Sequence, residues 1–391
     1  MNILVLNTEF EQVAIIDSYQ SLIWTDRYYG YGDFELYLPF NSSILNTIYQ
    51  DYYLQIPDSR STMIVESIRI DTSFDSGNYI IVTGRSLESI LERRIIWPEI
   101  ELPEIKTKAK GTIYEAMKTL ISDAIINPTA SRFKDPTFIK RRIDNFIFED
   151  CEDVSITSIP LESTIFNGEV LYDVILDWCQ NNEIGFDITF EDIYDHGGQI
   201  AYNQFVMRLY RGEDRSYEQD YNDWVIFSPS YDNVISTNYI DDISPWRNFA
   251  IVSKENDEAK PALMYGDVEK RGGSYITTGL NHRELYVDAR DIQESDLPEG
   301  LSYKQALIAR GAEKLNEALK DIEFTGEVEA KRQFKYGVDF FMGDIVEITN
   351  EYGIKGAARV IEYIHNDTDS GHEVYPTFEA IQDYGYDSED V

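Results

Sequence analysis

Apolar and polar residues alternate along the first hundred positions of this chain in short runs of strand character. ILVL (3–6), QVAIIDS (12–18), SLIWTDRYY (21–29), FELYLP (34–39), MIVESIRI (63–70) and YIIVTG (79–84) are rich in Ile, Val, Tyr and Phe. FELYLP and IVESIRI keep in part the period of two that half-buried strands require. GYGD and DSGN between them have turn chemistry. Two stretches switch to helical spacing. NSSILNTIYQDY (41–52) predicts a short helix capped by Asn41 or Ser42, with Ile44, Leu45, Ile48 and Tyr52 on one face, and RSLESILERR (85–94) predicts a second. Strands at this spacing with one interrupting helix predict a barrel-like module.

The pattern changes over PEIELPEIKTKAKG, where two prolines and no long apolar run predict a linker near 98–110. Thr112 and Glu115 then form a capping box, followed at helical spacing by Ile113, Ala116, Met117, Leu120, Ile121 and Ala124. A further amphipathic helix is predicted over 168–181, with Val170, Leu171, Val174, Ile175 and Trp178 on one face, and strands at GFDITFED and QFVMRLYRG. A helix packed on strands gives this middle region an α+β character. Residues 211–245 are polar, aromatic and turn-rich, FAIVSK (249–254) has strand character, and a glycine-rich stretch follows near 266–273. Ser302 and Gln305 cap a helix over about 302–320, in which Leu307, Gly311, Leu315 and Leu319 recur every four residues. Strand candidates EFTGEVEAK, DIVEIT, AARVIEYI and HEVYPTFEAI close the chain. Residues 63–84 and 358–378 echo one another weakly, each a strand, a polar turn containing Asp-Ser-Gly and a returning strand.

Charge narrows the function. Asp and Glu total 71 against 34 Lys and Arg, a net charge of −37 over 391 residues. Such a surface has no basic surplus with which to wrap nucleic acid, although nucleic acid could slide past it. The start MNILVLNTEFEQ lacks a basic segment followed by a long apolar one, and no apolar run is long enough to cross a bilayer. Neither a secreted precursor nor a membrane span is expected. Cys151 and Cys179 are the only cysteines, which excludes a four-sulfur metal site and gives no disulfide framework.

Candidate chemistry is sparse. The four histidines are His196, His282, His365 and His372; the nearest approach to a metal cluster is HNDTDSGH, where His365 and His372 flank Asp367 and Asp369. That string bridges two strands and departs from calcium-loop spacing, so it reads as a solvated turn. No nucleophile elbow, zinc helix or phosphate-cradling loop is present, and carboxylates this numerous cannot single out a glycosidase pair. No catalytic, cofactor or metal residue is assigned, and no enzyme activity is expected. The 28 Tyr, 19 Phe and 5 Trp, including Trp24, Tyr28, Tyr29 and Tyr31 beside Arg27, fit strand packing first and a protein interface second, and a carbohydrate groove would use the same residues.

WTDRYYGYGDFELYLP, with Trp24, Arg27, Gly32, Asp33, Phe34 and Leu36, followed by MIVESIRI and by VTGRSLESILERRII with Gly84 and Arg85, resembles the opening of the tail hub proteins of long-tailed bacteriophages. Gly343, Asp344, Ile345 and Val346, with Tyr375-Pro376-Thr377-Phe378, resemble that family's closing module. The resemblance covers essentially residues 1–380 and is weakest over 190–290. It implies an α+β, multidomain fold with two β-barrel-like domains and intervening α+β domains. Residues 1–100 would form the first barrel and 101–210 an α+β domain. Residues 211–322 would be an inserted α+β region with part of the later barrel, 323–380 the closing strands of the second barrel, and 381–391 an acidic tail. It also implies a structural homotrimer in the virion tail tip, adapting a sixfold tube to a threefold tip and forming a channel through which viral DNA passes without specific binding. Expected neighbours are the distal tail protein, the tape measure protein and tip or receptor-binding proteins. Because the chain lacks the extension of larger members, a hub without a lysin on the same polypeptide is expected. A peptidoglycan- or glycan-cleaving tail enzyme, or a carbohydrate-binding adhesion module, is the alternative reading. The residues named in this paragraph are expected to be structural, in the sheets or their ring contacts.

Overall fold

Alternation at the amino-terminal end becomes seven strands: β1 (Ile3–Leu6), β2 (Gln12–Ile16), β3 (Ser21–Arg27), β4 (Asp33–Pro39), β5 (Tyr53–Gln55), β6 (Met63–Ser73) and β7 (Gly77–Ser86). In β4 the side chains of Phe34, Leu36 and Leu38 are buried and those between them are only half so. The same period of two places Leu22 and Trp24 of β3, Met63 and Val65 of β6, and Ile80 and Val82 of β7 in one apolar core with Ile3, Val5 and Leu54. Ile64, one step out of phase, joins a second core.

The computed structural model describes residues 1–40, 45–73, 77–96, 111–128, 136–161, 166, 168–194, 197–253, 263–267, 279–290, 292, 302–318, 321–328, 333–353, 355–368 and 371–381. The Asn41 or Ser42 cap, most of the glycine-rich stretch, the linker near 98–110, His196, Asp369 and the acidic tail beyond residue 381 lie outside them. Of the short helix predicted over 41–52, the described part has Leu45 in helical backbone and residues 46–52 in turns and irregular backbone, and Ile48 is buried in the amino-terminal core. The stretch 85–94 forms a 3₁₀ helix, Leu87–Arg93.

The second core is built by helices on strands. Helix α1 (Ile113–Ile121) starts where the capping box predicts, the Thr112 side chain accepting from the Glu115 N–H, and widens into a π-helical turn, Ser122–Ile126. β8 (Phe146–Phe148), α2 (Val154–Thr157), α3 (Leu171–Asn181), β9 (Gly185–Tyr194) and β10 (Ile200–Tyr210) follow. β10 lies between β8, parallel to it, and β9, antiparallel. Met117, Leu120, Ile175 and Cys179 of the helices pack with Phe186, Phe205 and Met207 of this sheet and with Leu87 and Leu91.

The remaining elements are β11 (Ile226–Phe227), β12 (Val234–Asp242), β13 (Phe249–Ser253), β14 (Leu263–Asp267), β15 (Glu284–Asp288), α4 (Tyr303–Glu317), β16 (Asp321–Val328), β17 (Ile345–Thr349), β18 (Lys355–Thr368) and β19 (Gly371–Ala380). The chain divides into two units. One comprises Met1–Ser236, Gly326–Ile354 and Arg359–Phe378; the other comprises Thr237–Thr325, Lys355–Ala358 and Glu379–Val391. In the second unit β13 lies between β14 and β15, and α4, held by a complete Ser302–Gln305 capping box, packs Leu307 and Leu315 on Ala250, Val252 and Val287.

The two expected barrels are not formed. β18 pairs antiparallel with β3, Trp24 opposite His365 and Arg27 opposite Glu362. Strands from both ends of the chain therefore enter one eleven-stranded mixed sheet in the order β11-β17-β18-β3-β4-β7-β6-β5-β1-β2, with β19 on β18. Among the described residues no sheet closes into a barrel or curls strongly; the path of the large one ends at β2 and β11. The reason is physical. Alternation fixes which face a strand buries but not which neighbour it takes, so two hairpins with open edges can join one sheet as readily as close two.

Candidate functional site

Pairing of β18 with β3 brings the two groups of sequence-marked residues into one joint. Trp24 is fully buried, its ring 5.9 Å from that of Phe34, and its indole N–H donates to Asp26 Oδ1 at 3.2 Å and Ser59 Oγ at 3.1 Å. Phe34 lies opposite Gly84, where a Cβ would stand 1.8 Å from the Ile64 carbonyl oxygen and 3.0 Å from the Phe34 ring, so only glycine fits. Leu36 is fully buried between Leu22 and Val82.

Arg27 ties the ends together electrostatically. Its Nε donates to Glu362 Oε1 at 2.7 Å, while Nη1 pairs with Asp33 at 2.8 Å and donates to the Tyr31 carbonyl at 3.1 Å. Arg85 pairs with Glu66 at 2.8 Å and Glu92 at 2.7 Å and lies 4.6 Å over the Tyr31 ring. Gly32 exchanges hydrogen bonds with Ser86: its N–H donates to Ser86 Oγ at 2.7 Å, and its carbonyl accepts from the Ser86 N–H at 2.9 Å. The Ser86 hydroxyl in turn donates to Glu88, whose other oxygen accepts from the Ile188 N–H at 2.7 Å. Glu88 is buried, and burial pushes its carboxyl up to about 7; burial likewise pushes neighbouring Asp187 up to about 6.

Gly343 sits in the left-handed region at φ +87°, and a Cβ there would stand 2.3 Å from the Tyr28 ring. Gly32, by contrast, is not left-handed; a Cβ there would meet the Thr25 carbonyl at 2.1 Å. Asp344 is buried and fully satisfied, accepting from the Glu213 N–H at 2.7 Å, Arg215 Nε at 2.7 Å and the Phe341 N–H at 2.9 Å. Ile345 is half-buried and exchanges backbone bonds with Glu213 and Arg215, Val346 is fully buried, and Phe378 packs 5.6 Å from Phe227.

Sequence reasoning missed the residue on which these parts converge. Tyr28 is fully buried; its N–H donates to the Ile361 carbonyl at 2.8 Å and its hydroxyl to the Glu183 carbonyl at 3.0 Å. Arg359 lies 5.4 Å over its ring, donating to the Gly343 carbonyl at 3.0 Å and pairing with Glu183 at 2.7 Å. Arg359 stands alone among apolar residues in AARVI, and Glu88 is the one charge in SLESIL; a lone charge in an uncharged run was the available signal.

His365 is buried beside Trp24, its ring 5.7 Å from that of His372 and its Nε2 4.0 Å from Asp26 Oδ2; burial and the His372 ring push it down to about 4. Among the described residues no group of three or more His, Cys, Asp or Glu is arranged to hold a metal ion. What the geometry does is mechanical: Tyr28, Arg27, Arg359 and Glu88 hold three stretches far apart in sequence as one body.

A family model described as Siphovirus ReqiPepy6 Gp37-like protein matches residues 2–378. Among solved structures, the chain is similar to the 43 kDa tail protein of prophage MuSo2 from Shewanella oneidensis, at 11% identity and a TM-score of 0.56, covering 97% of this chain and 98% of that one. It is also similar to the tail protein from Neisseria meningitidis MC58, at 14% identity and a TM-score of 0.55, covering 97% and 96%. At such identities the likeness is one of fold. No curated protein sequence matches the chain.

Proposed function

This chain belongs to the Siphovirus ReqiPepy6 Gp37-like family, and from that premise we propose that it is a structural tail hub protein of a phage rather than an enzyme, three copies of which close around a channel at the tail tip through which viral DNA leaves. The family match over nearly the whole chain carries this reading. The distal tail protein, the tape measure protein and tip or receptor-binding proteins are its neighbours. Trp24, Arg27, Phe34 and Leu36 keep the hub's sheet rigid, and Ile345, Val346 and Phe378 anchor the returning strands to it.

Charge supports the role. Three copies carry 3 × (−37) = −111 formal charges. If enough of these face the channel, they repel DNA phosphates and leave few places for it to stall. The same charge opposes self-association, so trimer contacts rely on apolar burial and hydrogen bonds, helped by counter-ions. Electron microscopy of assembled tails tests the proposal. Three copies surrounding a lumen lined mainly by Asp and Glu are the expected result; a single peripheral copy, or a lumen lined by Lys and Arg, overturns it.

A further inference from the structure

β2 is the last strand of the large sheet. It pairs with β1 on one side, Ile3 opposite Ile16 and Leu4 opposite Ile15, and on its other side no described strand pairs with it. Ile16 is buried, whereas Val13 and Ile15 are 46% and 51% exposed. An open edge with exposed aliphatics is a template for another strand, and proteins that must avoid this place Lys or Pro within the edge. β2, reading Gln-Val-Ala-Ile-Ile, contains neither; its register with β1 slips once, from Val5–Ala14 to Leu6–Gln12, which leaves Val13 as the extra residue and Ala14–Ile16 in regular pairing. Its only charges stand at its ends: Glu9 and Glu11 before it and Asp17 after it, all exposed.

The edge is also held ready. Asn7 Oδ1 accepts from the N–H groups of Glu9 and Glu11, and the Phe10 ring stacks 4.5 Å from that of Tyr53 and 4.3 Å from that of Phe190. A strand fixed in this way loses little further freedom when it is paired.

We propose that β2 is a docking edge for an extended segment of a different tail protein, one with aliphatic residues against Val13 and Ile15 and Lys or Arg at its ends. The flanking acids select the partner. A second copy's β2 would set the same acids against Glu9, Glu11 and Asp17, whereas a segment with basic ends meets opposite charge at both. Main-chain bonds give the affinity and the flanks give the choice. That the partner is a tail protein rests on the tail hub reading.

Hydrogen exchange of the isolated chain and of purified tails tests this directly. The amides of residues 12–16 on the open side exchange quickly in the isolated chain and are expected to slow by about tenfold or more in tails. Ile15→Lys, at an exposed site, is expected to leave the melting temperature of the isolated chain unchanged and to lower its incorporation into tails by about tenfold. The double reversal Glu11→Lys with Asp17→Lys is expected to do the same. A photoreactive phenylalanine analogue in place of Ile15 is expected to crosslink to another tail protein within a segment flanked by Lys or Arg. Crosslinks to a second copy of this chain, or unchanged exchange of β2 in tails that contain the chain, overturn the docking edge and leave the hub role standing. Absence of the chain from tails overturns both.

Discussion

Glu88→Gln is the sharpest perturbation that this architecture offers. The carboxyl is buried where the Gly32–Ser86 exchange meets β9, and its proton affinity is raised from the ordinary 4.5 to about 7. A raised affinity means that the folded chain binds more protons than the unfolded one between about pH 4.5 and 7. Stability from this group is therefore fully present below the lower value and is lost as pH rises through the higher one. With about 1.36 kcal/mol for each tenfold change in proton affinity, the loss by pH 8 is about 3 kcal/mol. Glutamine keeps an oxygen for the Ile188 N–H and an amide for Ser86 but never ionises. Urea unfolding of the wild type and Glu88→Gln at pH 5, 6, 7 and 8 measures the difference. The variant should match the wild type at pH 5 and exceed it by up to about 3 kcal/mol at pH 8. A difference that does not change with pH refutes the assignment of the buried charge.

Three further outcomes follow from the joint. Gly343→Ala combines a left-handed backbone with a Cβ only 2.3 Å from a Tyr28 ring whose hydroxyl is already held, and should cost roughly 2–5 kcal/mol by denaturant unfolding. Trp24→Ala empties a fully buried site and removes the donor to Asp26 and Ser59; about 3–5 kcal/mol should be lost, with poor assembly into tails, and normal assembly would count against its placement. His365, facing His372, Asp26 and Asp58, is held below its ordinary 6.5 at about 4, so its contribution falls as pH drops through that window. Replacing it by Leu should remove about 3 kcal/mol of acid sensitivity between pH 7 and pH 4, read from the same unfolding series.

Local chemistry was legible in the sequence because it is local. Thr112 with Glu115 and Ser302 with Gln305 cap helices where the pattern places them, and the alternation of Phe34, Leu36 and Leu38 identifies the buried face of β4. Ile48 shows that an apolar spacing can be satisfied beyond helical backbone, since it is buried although residues 46–52 are turns and irregular backbone. The strand partnership was not legible. Nothing in AARVIEYI says that Glu362 will face Arg27 rather than a strand of its own neighbourhood, because opposite charges are abundant and register is a property of two strands. Tyr28 was visible only as one aromatic among many; its importance comes from Gly343, Glu183 and Arg359, which the chain delivers from more than 150 residues away.

The bond between Arg27 and Glu362 spans 335 positions. At a synthesis rate of about 5–20 residues per second, β3 waits roughly 20–70 s on the ribosome before its neighbour β18 exists. During that interval its edge is open to any other nascent strand. Premature termination before β18 should therefore give a sticky fragment rather than a smaller working protein. Growth temperature and translation speed, which set the length of that wait, should govern how much of the chain matures into usable tails.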